Sequence, residues 1–181
     1  MQDVKDSKQA TVRIGYDGRV HKTFRGPLAK RRFENELQVL RYLEKQNCPF
    51  VPRVLEADAE KLYMVTTNCG TIVDKISHDK LEHLFQELEQ YGVRHNDPFA
   101  RNVTYNADLG RFCVIDFEFA TITATGEGFS LEELEELNKD KKYAKALQEL
   151  RAIEQEQEQE QEQEQEQEQE QEQEPEQEQG K

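Results

Sequence analysis

The 181-residue sequence lacks several features that would assign it to a broad class of protein. It has no run of about 18 apolar residues, so we predict no membrane span, and its start, MQDVKDSKQA, lacks the apolar core of a secretory signal. Its cysteines, Cys48, Cys69 and Cys113, form no Cys-x-x-Cys pair, so neither a zinc knuckle nor a disulfide framework is indicated. No excess of basic charge offers a surface for nucleic acid. We therefore expect a cytoplasmic protein that binds neither membranes nor nucleic acid.

The acidic charge is concentrated at one end of the chain. Lys and Arg number 24 against 38 Asp and Glu, which gives a formal net charge of −14. Residues 154–181 are almost pure alternating Glu and Gln, whereas residues 1–153 are nearly balanced in charge and hold all of the hydrophobic residues. We predict one compact domain over 1–153. We predict a disordered low-complexity tail over 154–181, because it has no apolar side chains and its glutamates would repel one another in a helix.

The first informative pattern is a pair of β-rich runs, ATVRIGY and RVHKTF, on either side of Asp17-Gly18, which predicts a β-hairpin. Because side chains alternate along a strand, Lys22 shares a face with Val20 and Phe24. The preceding residues 1–9 are polar, and we expect them to be frayed.

A helix is predicted from about residue 28 to 46, where apolar residues recur at spacings of three and four. Glu36 lies on the same stripe as Phe33 and Leu40. A carboxylate there needs a cation or hydrogen-bond donors, because an unpaired buried charge is costly, and Lys22 is the nearest candidate. The alternative is that both charged side chains extend to solvent.

The middle of the chain predicts a strand over 61–67, a connector over 68–70 and a second helix over about 77–91. Two short strands follow, at 103–105 and 112–115. Asp97 precedes the first of them, Asp116 ends the second, and Asn102 lies between. Since Mg²⁺ takes oxygen ligands from Asp and Asn, these three residues can supply a general base and two metal ligands.

A last helix is predicted from Ser130, where Ser130 and Glu133 have the spacing of a capping box.

The motifs HND at 95–97, Asn102 and IDFE at 115–118 together resemble the catalytic core of the protein-kinase-like superfamily, whose protein-kinase members carry H-R-D, Asn and D-F-G. The sequence of these motifs is most similar to that of choline/ethanolamine kinases and aminoglycoside phosphotransferases. The short length of the domain is similar to that of minimal atypical kinases such as the RIO group. The resemblance covers roughly residues 12–120. It implies an α+β, truncated protein-kinase-like fold, with a small antiparallel N-lobe sheet plus a helix and a reduced, mainly helical C-lobe.

The resemblance also implies ATP and Mg²⁺ as ligands, and a role for each matching residue. Lys22 would hold the ATP phosphates, and Glu36 would be its partner on the helix. Asp97 would be the catalytic base, and Asn102 and Asp116 would be the magnesium ligands.

Further positions follow from the same alignment. Thr66 falls at the gatekeeper position, and Thr67 to Cys69 fall on the hinge, where backbone groups would meet adenine. His95 would be a structural histidine of the catalytic loop.

The sequence departs from the superfamily pattern in four ways. It has no glycine-rich phosphate loop, and we expect the first strand and its loop to be absent. Phe99 stands where protein kinases often carry Lys, and Arg101 is a candidate for the replacement cation. Glu118 replaces the Gly of D-F-G, which adds a carboxylate near the metal. Too few residues separate Ala120 from the tail for a full activation segment and substrate-binding helices.

The resemblance thus implies an ATP- and Mg²⁺-dependent phosphotransferase with an alcohol group as acceptor. We expect an atypical serine/threonine protein kinase with a protein substrate as partner, because the missing helices leave no obvious pocket for a small alcohol. Two alternatives stay open. The HND and IDFE motifs favour a small-molecule kinase of the choline or aminoglycoside type. The missing phosphate loop favours a catalytically degenerate, kinase-like binding scaffold.

Overall fold

The computed structural model describes residues 2–73, 75–129 and 133. Its larger sheet has five antiparallel strands in the order β1-β2-β3-β5-β4. These strands are β1 (Gln2–Asp6), β2 (Ala10–Ile14), β3 (Val20–Phe24), β4 (Val54–Asp58) and β5 (Tyr63–Thr66). Helix α1 (Ala29–Lys45) connects β3 to β4.

The chain after β5 forms two smaller antiparallel sheets around a second helix. A three-stranded sheet has the order β6-β8-β9, and a two-stranded sheet pairs β10 with β7. The elements are β6 (Thr71–Ile72), α2 (His78–Gln90), β7 (Val93–Arg94), a 3-10 turn (Ala100–Asn102), β8 (Val103–Asn106), β9 (Arg111–Val114) and β10 (Thr121–Ile122).

The predicted hairpin at Asp17-Gly18 is confirmed. Strands β2 and β3 pair in register from Ala10 opposite Phe24 to Ile14 opposite Val20. Gly18 has a φ of 75°, which is accessible to glycine without the steric cost of a Cβ. The turn therefore places Lys22 in the middle of β3.

Both predicted helices are also confirmed, with ends within about one residue of the expected positions. Helix α1 buries the apolar stripe that includes Phe33 and Leu40, and Glu36 is buried with them. Helix α2 buries Leu84 and Leu88.

The prediction of a frayed segment over residues 1–9 is wrong, because Gln2–Asp6 forms β1 and pairs with β2. The expected absence of a first strand and its loop is wrong for the same reason. An edge strand gains its hydrogen bonds from backbone groups, so it needs no apolar alternation that a sequence pattern would reveal. The opposite edge strand, β4, went unpredicted because its sequence VLEAD has only short apolar pieces.

The prediction of a mainly helical C-lobe is wrong for the described residues of the second half, 67–73 and 75–129. These residues hold one α-helix, one 3-10 turn and the two small sheets. The predicted helix from Ser130 and the Glu/Gln tail lie outside the described residues, apart from Glu133. The described residues therefore form an α+β fold, with three antiparallel sheets and two α-helices.

One continuous cluster of buried apolar side chains connects the five-stranded sheet to the second half. Its members come from β3, α1, β5, α2 and β7 to β10 and from the segments between them, and include Phe24, Phe33, Leu40, Leu43, Met64, Leu88, Val93, Val103, Val114, Phe117 and Ile122. This shared core fixes the position of β3 relative to the turn that follows β9. In the described part of the chain, none of the helices combines the length and the apolar surface that crossing a bilayer would require.

Candidate functional site

The centre of the candidate site is the ammonium group of Lys22. Its Nζ lies 2.6 Å from Glu36 Oε2, 2.7 Å from Asp116 Oδ1 and 2.9 Å from Glu118 Oε1. The Lys22 side chain is 10% exposed. The inward orientation of Lys22 and Glu36, which the strand and helix patterns predicted, is therefore confirmed, and the alternative of two solvent-directed side chains is wrong. We call Lys22, Glu36, Asp116 and Glu118 the acidic cluster.

Burial and charge act in opposite directions on this cluster. Burial alone would lower the pKa of Lys22, but Asp116, Glu118 and Glu36 together raise it well above 10.5, so the lysine stays charged. Burial raises the pKa of Glu36 to about 7, against the opposing effect of Lys22. The cluster therefore holds more carboxylates than its one lysine can neutralise, and it needs a second cation.

The second cation is Arg32, which the sequence reading did not identify. Its side chain is 0% exposed, and its Nη1 donates to Glu118 Oε2 at 2.8 Å. The remaining donors bind backbone carbonyls: Nε binds Pro27 at 3.1 Å, and Nη2 binds Arg25 at 2.6 Å and Gln9 at 3.2 Å. Arg32 lies one helical turn before Glu36, so both project from the same side of α1.

A second missed residue, Asn35, fixes the turn that carries Asp116 and Glu118. Its Nδ2 lies within hydrogen-bond distance of three carbonyl oxygens, those of Phe117 at 3.4 Å, Glu118 at 3.1 Å and Ala120 at 2.9 Å. Asn35 is 1% exposed. Helix α1 thus contacts this turn in two ways: Asn35 binds the backbone carbonyls of the turn, and Arg32 binds the side chain of Glu118.

The turn after β9 places Asp116 at the more open side of the acidic cluster. Asp116 has a φ of 67°, an uncommon value for a residue other than glycine, and its side chain is 24% exposed. His95 supports this turn by donating from Nε2 to the Ile115 carbonyl at 3.0 Å. Burial lowers the pKa of His95, so the ring is uncharged and its single N–H is the donor to the backbone.

Asp97, the predicted base, is held from two sides. The Nδ2 of Asn102 donates to Asp97 Oδ2 and to the Asp97 carbonyl, both at 2.8 Å. Arg101 donates to Asp97 Oδ1, and its guanidinium carbon lies 4.3 Å from the ring centroid of Phe99. The Asp97 side chain remains 23% exposed and is therefore accessible from solvent.

Asn102 connects Asp97 to the segment that carries Asp116. Its carbonyl accepts a hydrogen bond from the Ile115 amide at 2.9 Å, directly before Asp116. Both side-chain hydrogen bonds of Asn102 use Nδ2, so neither uses the amide oxygen, which is the atom a hard cation would bind.

The predicted hinge residues are hydrogen-bonded to other segments of the chain, Thr67 to the residue before β4 and Cys69 to β8. The Thr67 amide donates to the Arg53 carbonyl, and its Oγ1 accepts from the Arg53 amide, both at 2.9 Å. The Cys69 carbonyl accepts from the Thr104 hydroxyl at 2.8 Å. The thiol of Cys69 contacts Cys113, and this contact raises the pKa of Cys69 above its ordinary value, so Cys69 is a protonated thiol and a poor nucleophile.

The neighbouring positions fit a tightly packed connector. Thr66 is buried at the end of β5, paired with Val20 on one side and Val54 on the other. Gly70 has a φ of 98°, and a Cβ there would lie 2.0 Å from the Tyr105 carbonyl oxygen. Only glycine fits at this close approach.

The oxygen donors of the site suit a magnesium ion. Glu36, Asp116 and Glu118 each offer one carboxylate oxygen, and these atoms lie within 4.8 Å of one another. Carboxylate oxygens are the type of ligand that Mg²⁺ prefers. Of these carboxylates, Asp116 is the most exposed.

Comparison with known proteins gives no further guide. No protein-family model matches the chain, and no curated protein matches it.

Proposed function

We propose that the protein is an ATP- and Mg²⁺-dependent phosphotransferase with a truncated protein-kinase-like fold, and that its acceptor is a serine or threonine hydroxyl of a protein. The observation that carries this proposal is the contact of Lys22 with both Glu36 and Asp116. In protein kinases the corresponding lysine lies on the third strand and pairs with a glutamate of the following helix. Lys22 lies on β3 and Glu36 on α1, in the same order.

Each residue of the site would have a separate role in phosphoryl transfer. Lys22, held by Glu36, would bind phosphate oxygens of ATP. Asn102 and Asp116 would hold Mg²⁺, whose charge offsets that of the phosphates. Asp97 would accept the proton of the acceptor hydroxyl. Position and charge are most of what this reaction requires of a protein.

The surroundings of Asp97 favour a protein hydroxyl over an amino alcohol or an aminoglycoside. Arg101 binds Asp97 and is 52% exposed, so it places a positive charge beside the acceptor position. A cationic acceptor would meet like charge there. A neutral serine or threonine side chain would not.

The alternative of a binding scaffold that transfers no phosphate is supported by a separate observation. An ammonium group has three donors, and three carboxylates surround Lys22. The loop between β1 and β2, Ser7 to Gln9, also contains no glycine to approach a phosphate closely. On this second proposal the acidic cluster is a structural ion network.

ADP formation separates the two proposals. Wild type, supplied with Mg²⁺ and γ-labelled ATP, is expected to release ADP and to label its own hydroxyls or the generic acceptors casein and myelin basic protein. Asp97→Asn is expected to lower ADP formation by about 10²-fold or more, because general-base catalysis contributes that much. The matched control is Asp108→Asn, an exposed aspartate in the turn between β8 and β9. Equal rates in Asp97→Asn and wild type would contradict the assigned base, and a folded wild type that forms no ADP would support the scaffold.

A further inference from the structure

The three carboxylates around Lys22 are not equivalent. Glu118 binds two cations at once, with Oε1 on Lys22 at 2.9 Å and Oε2 on Arg32 at 2.8 Å, and it is 7% exposed. Asp116 binds Lys22 at 2.7 Å but is 24% exposed. Moving Glu118 would separate two buried ion pairs, whereas the ion pair of Asp116 with Lys22 lies at the more open side of the cluster.

Arg32 has a geometry that only a guanidinium can satisfy. Its planar group binds Glu118 on one side and the carbonyls of Arg25 and Gln9 on another, while Nε binds the Pro27 carbonyl. The Gln9 carbonyl belongs to the loop between β1 and β2, so Arg32 joins this loop to the acidic cluster. A lysine retains the charge but lacks the rigid fork of donors.

We propose that Arg32 is a positioning residue of the proposed nucleotide site. It fixes Glu118 against Lys22 and so leaves Asp116 as the carboxylate that moves from Lys22 to a divalent cation when nucleotide binds. This inference rests on the proposed function.

The arrangement keeps the buried lysine paired throughout. When Asp116 leaves, Lys22 still contacts Glu36 at 2.6 Å and Glu118 at 2.9 Å. Its third donor then faces the space that Asp116 has left, where a phosphate oxygen of the nucleotide can bind. No charge is left buried and unpaired at any stage, which avoids the main cost of such an exchange.

The test is a double-mutant cycle on nucleotide affinity. The Kd of Mg·ATP is measured by titration calorimetry, at a temperature where every variant is folded, for wild type, Arg32→Lys, Glu118→Gln and the double variant. Each single variant is expected to raise Kd about tenfold, the factor that corresponds to the loss of one charge-assisted hydrogen bond. The double variant is expected to raise it no further, because the two residues act through one contact. The magnesium concentration for half-maximal binding should rise in parallel.

Arg31→Lys is the matched control, because Arg31 is the neighbouring arginine of α1 and pairs with Glu133 instead of the acidic cluster. It should change Kd less than about twofold. Where Arg32→Lys does not fold, Glu118→Asp replaces it. Glu118→Asp retains the charge but is too short to contact both cations, so it should show the same loss.

The outcomes separate this inference from the proposed function. Absence of Mg·ATP binding by wild type would overturn both. If wild type binds Mg·ATP, two results would overturn the inference alone. One is a wild-type Kd in Arg32→Lys or Glu118→Asp, and the other is a double variant in which the losses of affinity of the two single variants multiply.

Discussion

Glu36 is the residue at which burial and function conflict most directly. It supports Lys22 from α1, yet burial raises its pKa from 4.5 to about 7, and the nearby carboxylates of Asp116 and Glu118 add to this effect while Lys22 opposes it. The folded state therefore binds this proton more tightly than the unfolded chain does. As pH rises from about 4.5 to about 7, ionisation of Glu36 lowers the free energy of unfolding.

We predict that the stability of wild type relative to Glu36→Gln decreases as pH rises from about 5 to about 8. The expected change is about 1–3 kcal/mol, since each unit of pKa shift corresponds to about 1.4 kcal/mol. The measurement is urea unfolding of both proteins at the two pH values, in EDTA and without nucleotide.

The control for this experiment is Glu34→Gln, a more exposed glutamate on the same helix. Its stability relative to wild type should change little over the same pH range. A difference between wild type and Glu36→Gln that is constant with pH, or that grows in favour of wild type, would contradict the raised pKa.

At this scale the sequence identified only part of the site. Lys22 and Glu36 were predictable because each lies on the apolar face of an element with a clear period. The role of Arg32 was not predictable, although it lies on the same side of α1 as Glu36, because its four partners lie in three separate segments of the chain.

At the scale of elements, α1 organises the site. It carries Glu36 and Arg32 for the acidic cluster and Asn35 for the backbone of the turn at 117–120. The helix was predictable from its apolar period. The support that α1 gives to this turn was not predictable, because the hydrogen bonds of Asn35 join residues more than 80 positions apart in the sequence.

We predict that Asn35→Ala lowers the free energy of unfolding by about 1–3 kcal/mol, because it leaves buried carbonyls of Glu118 and Ala120 without their donor. Urea unfolding measures this change. Gln38→Ala, on the exposed side of α1, is the control and should stay within about 0.5 kcal/mol of wild type. Equal stabilities of the two variants would contradict the role of Asn35 in holding the turn.

The strands show where pattern reading succeeds and fails. The hairpin of β2 and β3 has a turn pair and alternating side chains, so it was predictable. Strands β1 and β4 are the two edges of the five-stranded sheet, and an edge strand with a polar sequence such as QDVKD carries little periodic signal.

At the scale of the whole molecule, the site exists only in the folded chain. Lys22 and Asp116 are 94 positions apart, and they meet because one core joins β3, α1 and the strands that precede Asp116. The order of the motifs was readable from the sequence, but the contact itself depends on this long-range packing. A ligand that binds across this contact must stabilise the folded state.

The most direct test of the nucleotide site is the unfolding midpoint with and without saturating Mg·ATP, for wild type, Asp116→Asn and the control Asp108→Asn. Ligand at 100 times its Kd adds about 2.7 kcal/mol to the free energy of unfolding, so we predict an upshift of about 5 °C or more in wild type and in Asp108→Asn. The upshift should require Mg²⁺ and should be lost in Asp116→Asn. A folded wild type whose midpoint does not move, or an equal upshift in Asp116→Asn, would contradict the claim that Lys22 and Asp116 form a nucleotide site.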